Sequence, residues 1–209
     1  MHSLRYCLFF LLLLAVNFQA NAQSVADMWI SIPDEFAPYL SLNQRKEMIE
    51  CQKIGVDTSV KNKFEGTTSI DTLTTDYGKF IMSESRTLEI AILPCGSDNI
   101  VMLIDSYIAP EVQGKVSFYD TQWNRIANEG KIPTFGVDDL LQKPDTMSIR
   151  DYDDLKKLIV DGFIEYNYDS TSHELEIGIS LPLVTLKEKE QLNAVICKRK
   201  LKWNGNLFN

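Results

Sequence analysis

Histidine is nearly absent from this chain, with two residues in 209, and one of them, His2, falls in the N-terminal leader described below. That leaves His173 as the single imidazole for nucleophile–base–acid catalysis or for metal ligation, and both chemistries usually draw on more. The sequence also lacks a G-x-S-x-G elbow, an S-x-x-K with its partner motifs and a glycine-rich phosphate loop, which removes the common serine-hydrolase and nucleotide-binding readings. Cysteines are few and widely spaced. No C-x-x-C pair exists, so thioredoxin-like exchange and structural zinc are poor readings. Basic charge is scarce too: 21 Lys and Arg stand against 29 Asp and Glu, a net charge of −8. Binding to nucleic acid rests on clustered cations that neutralise phosphates, and adsorption to an anionic membrane needs the same, so both are disfavoured.

Long apolar runs are missing as well, with one exception at the N-terminus. There MHSLRY supplies a short basic region, CLFFLLLLAV an apolar core of signal-peptide length, and Ala20-Asn21-Ala22 an A-x-A cleavage pattern. Residues 1–22 read as a cleaved signal peptide, and the mature chain is expected to begin at Gln23 and to be periplasmic or secreted. No later segment approaches the roughly 20 apolar residues of a spanning helix. Cleavage removes one arginine and no acid, taking the net charge to −9.

What remains is ordinary globular material with a clear texture. Pro33, Pro38 and Ser41 mark entry to a helix whose Leu42, Arg45, Met48, Ile49 and Gln52 recur on one face, and Gly55 ends it. From Asp57 the chain turns β-branched and alternating, broken at Gly66, Asp76 to Gly78 and Ser83 to Arg86, which predicts a meander of strands. NIVMLIDSYI, apolar on both faces in its first half, belongs at the sheet centre. A polar passage, NEGKIPTFGVDDLLQKPDT, reads as the connection between halves. A second helix follows over SIRDYDDLKKLIVDG, capped by Ser148, with Ile149, Tyr152, Leu155, Leu158 and Ile159 as its apolar face and Asp151, Asp153 and Asp154 as solvated dipole partners. FIEYNYD, HELEIGISLP and LNAVICKRKLKW are expected strands, the Lys198-Arg199-Lys200 run and Lys202 forming the wet face of the last.

The fold class is therefore α+β, with antiparallel sheet and one helix ahead of each strand set. Units over 23–127 and 128–209 are expected, either separate or merged into one domain. Phe80-Ile81 recurs as Phe163-Ile164, Leu88-Glu89-Ile90 as Leu175-Glu176-Ile177, and Trp123-Asn124 as Trp203-Asn204. Tandem duplication and chance recurrence both account for these matches.

Chemistry is thin. Cys51, Cys95 and Cys197 remain after cleavage; each lies in or beside an apolar segment, which suits buried thiols, one disulfide in any of three pairings, or a reactive thiol. Cys95 ends the run LEIAILPC on a Gly-Ser-Asp turn, so Cys95 with His173 is the catalytic candidate. Glu84, Glu89, Asp105, Glu165, Glu174 and Glu176 fall on expected strands, and a hydrolytic carboxylate pair would need two of them to face one cleft. The oxygen-bearing run Asn167, Asp169, Thr171 and Glu174 lacks the glycine and spacing of an EF-hand loop. No metal or cofactor is expected. Aromatics are the positive sign: Tyr166 and Tyr168 share a strand face by period two, and Tyr119 and Trp123 cluster nearby in sequence, which makes these four the candidate binding residues.

PDEFAPYLSLNQRKEMIE, TLEIAILP and SFYDTQWNRI resemble a family of uncharacterised exported proteins of gut anaerobes over nearly the whole mature chain. The resemblance implies export and one family-length unit, and brings no functional residues with it. The tandem helix-plus-sheet plan is also similar to that of β-lactamase inhibitor proteins, which grip a target with a concave aromatic sheet; that is a likeness of architecture alone. The reading that best fits is a noncatalytic exported protein that binds another protein or an envelope component through a sheet face. A hydrolase built on Cys95 with His173 or on paired carboxylates, and a structural envelope protein, are the alternatives.

Overall fold

The computed structural model describes residues 23–108 and 111–209, so the expected signal peptide over 1–22 lies outside the described residues. The described chain opens with α1 (Val25–Ser31), whose Ser24 and Asp27 form a reciprocal capping box, and continues to α2 (Leu42–Ile54), capped the same way by Ser41 and Gln44. Gly55 closes α2 in the left-handed conformation, at φ 70°. Seven strands then run in sequence: β1 (Val60–Lys61), β2 (Thr67–Leu73), β3 (Tyr77–Ser83), β4 (Arg86–Cys95), β5 (Asp98–Ile108), β6 (Val112–Tyr119) and β7 (Arg125–Ile126). They form one antiparallel sheet in that same order.

The β4–β5 hairpin pairs without a break from Arg86↔Tyr107 to Cys95↔Asp98. Its two-residue loop has positive φ at Gly96 alone, 64°, the glycine-requiring position of a II′-class hairpin. Cys95 therefore sits where a strand stops. Ile100 to Ile104 are buried on both faces of β5, as expected of a sheet centre.

A short 3₁₀ turn (Val137–Leu140), α3 (Ile149–Lys156), β8 (Phe163–Asp169), β9 (Glu174–Ser180), α4 (Leu186–Leu192) and β10 (Arg199–Lys202) complete the chain. The last three strands make a second antiparallel sheet, ordered β10-β9-β8. The protein is thus α+β, and its layers follow from strand alternation. Phe80, Met82, Leu88, Ile90, Val101 and Leu103 point to the face covered by α1 and α2, where Trp29 stacks on Phe80 with ring centroids 3.9 Å apart. Ala91, Leu93, Met102, Ile104, Val116 and Phe118 point to the opposite face, where they pack on Leu175 and Ile177 of β9 and on Trp203 and Phe208 of the tail. The 23–127 and 128–209 stretches share that second core.

Several expectations are corrected here. The 128–146 passage, expected as a polar connection between halves, also contributes to the interior, with Leu140 fully buried in the shared core and Leu141 nearly so. LNAVICKRKLKW is a strand only from Arg199; its start is the end of α4, a helix whose Thr185–Glu188 capping box was legible as T-x-x-E. Leu42 and Gln52 of α2 and Ile149 of α3 face solvent, since each helix touches the core along a narrower stripe than its apolar pattern suggests. The repeated words occupy different ladder positions: Phe80 pairs with Leu88, whereas Leu175 pairs with Tyr168 and Phe163 with Ser180.

Candidate functional site

Helices α1 and α2 cover only part of their face of the large sheet. Beyond their edge, on β5, β6 and β7, a cleft of about 320 Å³ is lined by Glu35, Phe36, Leu103, Asp105, Lys115, Ser117, Tyr119, Trp123 and Arg125. Period-two alternation explains the floor, because Leu103, Asp105, Lys115, Ser117 and Tyr119 all point to the same side of their strands. The ladder sets Asp105 opposite Lys115, Leu103 opposite Ser117, and Tyr119 opposite Arg125.

One wall is aromatic. Phe36, on the connection between α1 and α2, meets Tyr119 edge-on at 5.4 Å and Trp123 at 5.9 Å, and Tyr119 and Trp123 lie 5.5 Å apart. Trp123 is presented by a tight loop knitted on Asp120. The Asp120 carboxylate accepts the backbone N–H groups of Gln122 (2.8 Å) and Asn124 (2.9 Å) and the Asn124 side-chain amide (2.8 Å), which together hold the carboxyl below the usual aspartate range, the Asn124 side chain contributing most. Within that loop Trp123 takes φ 66°, a left-handed conformation that costs a bulky residue about 1–2 kcal/mol. Its indole N–H donates to Ser31 Oγ at 3.3 Å.

The charges of the cleft are unequal in their commitments. Asp105 is held by the Arg86 guanidinium and by the Tyr107 hydroxyl, and Arg86 also lies over the Tyr107 ring. Burial pulls the Arg86 guanidinium down and its bond to Asp105 more than reverses this, so the group stays cationic. Lys115 and Arg125 have no salt-bridge partner among the described residues. Ser117 is 4% exposed, and its hydroxyl, turned to the cleft, likewise has no hydrogen-bond partner among them.

Tyr119 and Trp123, two of the four aromatics singled out by sequence, thus meet at one site. The other two do not join them. Tyr168 is buried against Tyr77 and Phe208 between the sheets, and its hydroxyl bonds His173 Nδ1 at 3.0 Å. Burial pushes the Tyr168 hydroxyl upward, so it stays protonated. Tyr166 is half-buried where β8 crosses β6 at Gly114; a Cβ on Gly114 would stand 2.9 Å from the Tyr166 ring. Period two correctly put these side chains on one face, and that face is an interior one. Sequence pattern alone does not distinguish an exposed aromatic face from a buried one.

No hydrogen bond joins Cys95 to His173 among the described residues, and His173 Nδ1 is engaged by the Tyr168 hydroxyl. Cys95 Sγ faces the Lys131 ammonium at 3.7 Å, and that ammonium is also bound to the Asn206 carbonyl and side chain. Trp203 bonds the backbone near each of them, its indole N–H donating to the Pro94 carbonyl and its backbone N–H to the His173 carbonyl. Cys51, Cys95 and Cys197 are all free thiols. Glu89 and Asp105 are one ladder step apart yet on opposite faces of the sheet, so they cannot share a cleft. Asp169 turns its carboxylate onto the N–H groups of its own loop, at Thr171 and Ser172. Among the described residues no group of three or more His, Cys, Asp or Glu is placed to hold a metal, and no helix is long and apolar enough to cross a membrane.

The sequence model of a family described as a protein of unknown function, DUF3256, matches residues 17–208. No curated protein matches the chain. Among solved structures, a domain of an uncharacterized protein from Porphyromonas gingivalis W83 is similar at a TM-score of 0.72 and 15% identity, covering 88% of this chain and 98% of that one. At that identity the likeness is one of fold.

Proposed function

Given that the chain belongs to the DUF3256 family of proteins of unknown function, we propose that it is an exported, noncatalytic binding protein that engages another protein at the open end of its large sheet. The observation that carries this reading is the cleft in which Phe36, Tyr119 and Trp123 meet beside two cations left without partners in the described chain. Aromatic side chains supply large contact area at low conformational cost, which is why they concentrate in recognition surfaces. The aromatic surface continues past the cleft through Tyr107 and the Tyr39–Phe64 pair, with Phe64 74% exposed. Neither histidine nor cysteine lines the cleft, and its one well-held carboxylate is occupied by Arg86. Export rests on the leader sequence, and N-terminal sequencing of the protein from cells should read from Gln23.

Binding is tested by comparing two baits from the same envelope extract, the mature protein and its Phe36→Ala, Trp123→Ala double variant, each checked for folding by circular dichroism. A protein retained by the first and lost from the second supports the reading. Equal retention by both baits, or none by either, overturns it.

A further inference from the structure

The chemistry of the cleft specifies what part of a protein partner it takes. We propose that it receives a carboxylate side chain, carried on a peptide segment next to an apolar side chain; this rests on the protein-binding reading above. The strongest sign is Ser117. Its hydroxyl opens onto the cleft floor and has no hydrogen-bond partner among the described residues, so it is free to bond what enters. An oxygen ligand entering the cleft would satisfy it.

Charge then selects the ligand. The cations of the cleft floor, Lys115 and Arg125, have no salt-bridge partner among the described residues, and Glu35 is the one carboxylate of the lining besides the Arg86-bound Asp105. Lys115 stands opposite Asp105, its natural cross-strand partner, but Asp105 is already taken by the two-pronged contact from Arg86 and by Tyr107. Arg125, opposite Tyr119, adds a second donor set at the other end of the floor. A single carboxylate between Lys115, Arg125 and Ser117 would receive charge-assisted bonds from two sides and a neutral one from below.

The aromatic wall sets the rest. Phe36, Tyr119 and Trp123 pack on one another at 35–71° between ring planes, and Tyr119 is 4% exposed. The three rings are not coplanar, so the wall is no single flat stacking platform, which suits an aliphatic or aromatic side chain better than the face of a sugar ring. About 320 Å³ holds roughly one apolar side chain and one carboxylate-bearing side chain.

The test uses two capped tetrapeptides, identical except that a leucine is followed by glutamate in one and by glutamine in the other, titrated calorimetrically into the mature protein. Sodium galacturonate serves as the acidic-sugar control. The glutamate peptide should bind at least about tenfold more tightly than the glutamine peptide, the worth of charge-assisted bonds over neutral ones. The difference should shrink with added salt and vanish in the Lys115→Ala, Arg125→Ala variant, while Ser117→Ala weakens both peptides. Equal binding of the two peptides, binding of galacturonate alone, or a difference that survives the double variant overturns the proposal. If the baits still differ through Phe36 and Trp123 while the peptides do not, the protein-binding reading stands and the carboxylate inference falls alone.

Discussion

The guanidinium of Arg86 grips both carboxylate oxygens of Asp105, Nε to Oδ1 at 2.8 Å and the terminal nitrogen to Oδ2 at 2.9 Å. This contact occupies the acid that Lys115 faces across the ladder, so Lys115 is left without an ion-pair partner among the described residues. The side chains are 9% and 19% exposed, so the pair is largely desolvated. Removing one partner of such a pair leaves a buried charge uncompensated.

Arg86→Leu is accordingly expected to lower stability in urea denaturation by about 3 kcal/mol. The Arg86→Leu, Asp105→Leu double variant should cost less than the single one, because no orphan charge remains. In the single variant Asp105 is released to Lys115, so the glutamate peptide should also lose its advantage over the glutamine peptide. A double variant no more stable than Arg86→Leu would show that the pair does not act as a unit.

The loop that presents Trp123 depends on a carboxylate. The folded-state pKa of Asp120 lies below its ordinary 3.8, so its contribution is present above that value and is lost as pH falls through the lowered one. Asp120→Ala should release Trp123 from its left-handed conformation at neutral pH, seen as a shift and broadening of the Trp123 indole N–H resonance. Wild type should show the same change only in strong acid. An unchanged resonance in Asp120→Ala would mean that packing on Phe36 and Tyr119, and not the loop, positions the ring.

How much of this was legible in sequence follows from the range of each interaction. The strands of the large sheet were readable because alternation and turn residues are local: the Gly96-Ser97 loop and the Ser41 and Gly55 caps of α2 stand in the chain next to what they terminate. Helix α1 was not, since two turns give too little period to read. Tyr119 and Trp123 were visible as aromatics, but Phe36 reaches them from more than 80 positions away, and only the packing of the helical layer on the sheet brings them together. Tyr168 had the same pattern as a recognition residue and became core, because the second sheet folds back over that face.

That crossing of sheets has its own test at Gly114. The backbone of β8 passes close enough that a Cβ there would stand 2.9 Å from Cδ2 of Tyr166 and 3.4 Å from its backbone nitrogen. Backbone cannot swing aside as a side-chain tip can. Gly114→Val should therefore cost about 1–3 kcal/mol as overpacking, with Gly114→Ala toward the low end. Tyr166→Ala in the Gly114→Val background should recover part of the loss. No recovery would place the strain in the β6 backbone and not in the contact with β8.

The same face of the large sheet, the one turned away from the cleft, also makes stability depend on pH. Glu89 is 5% exposed, accepts the Tyr77 hydroxyl at 2.7 Å and has the Lys79 ammonium at 3.7 Å. Burial raises its pKa above the ordinary 4.5, and the Tyr77 and Lys79 contacts only partly offset this. A raised folded-state pKa means that the native protein holds this proton more tightly than the unfolded chain does. The resulting stabilisation is complete below the unfolded value and is lost as pH rises through the folded one. Glu89→Gln keeps an oxygen to accept from Tyr77 and cannot ionise, so it should be at least as stable as wild type at neutral pH and show a flatter stability profile above about pH 4.5. Glu89→Ala, by contrast, strands the buried Tyr77 hydroxyl and should cost about 1–3 kcal/mol at every pH. Urea denaturation of the three proteins across acid to neutral pH separates the effects; a wild-type curve parallel to that of Glu89→Gln would mean that the Lys79 and Tyr77 contacts fully offset the burial of the carboxylate.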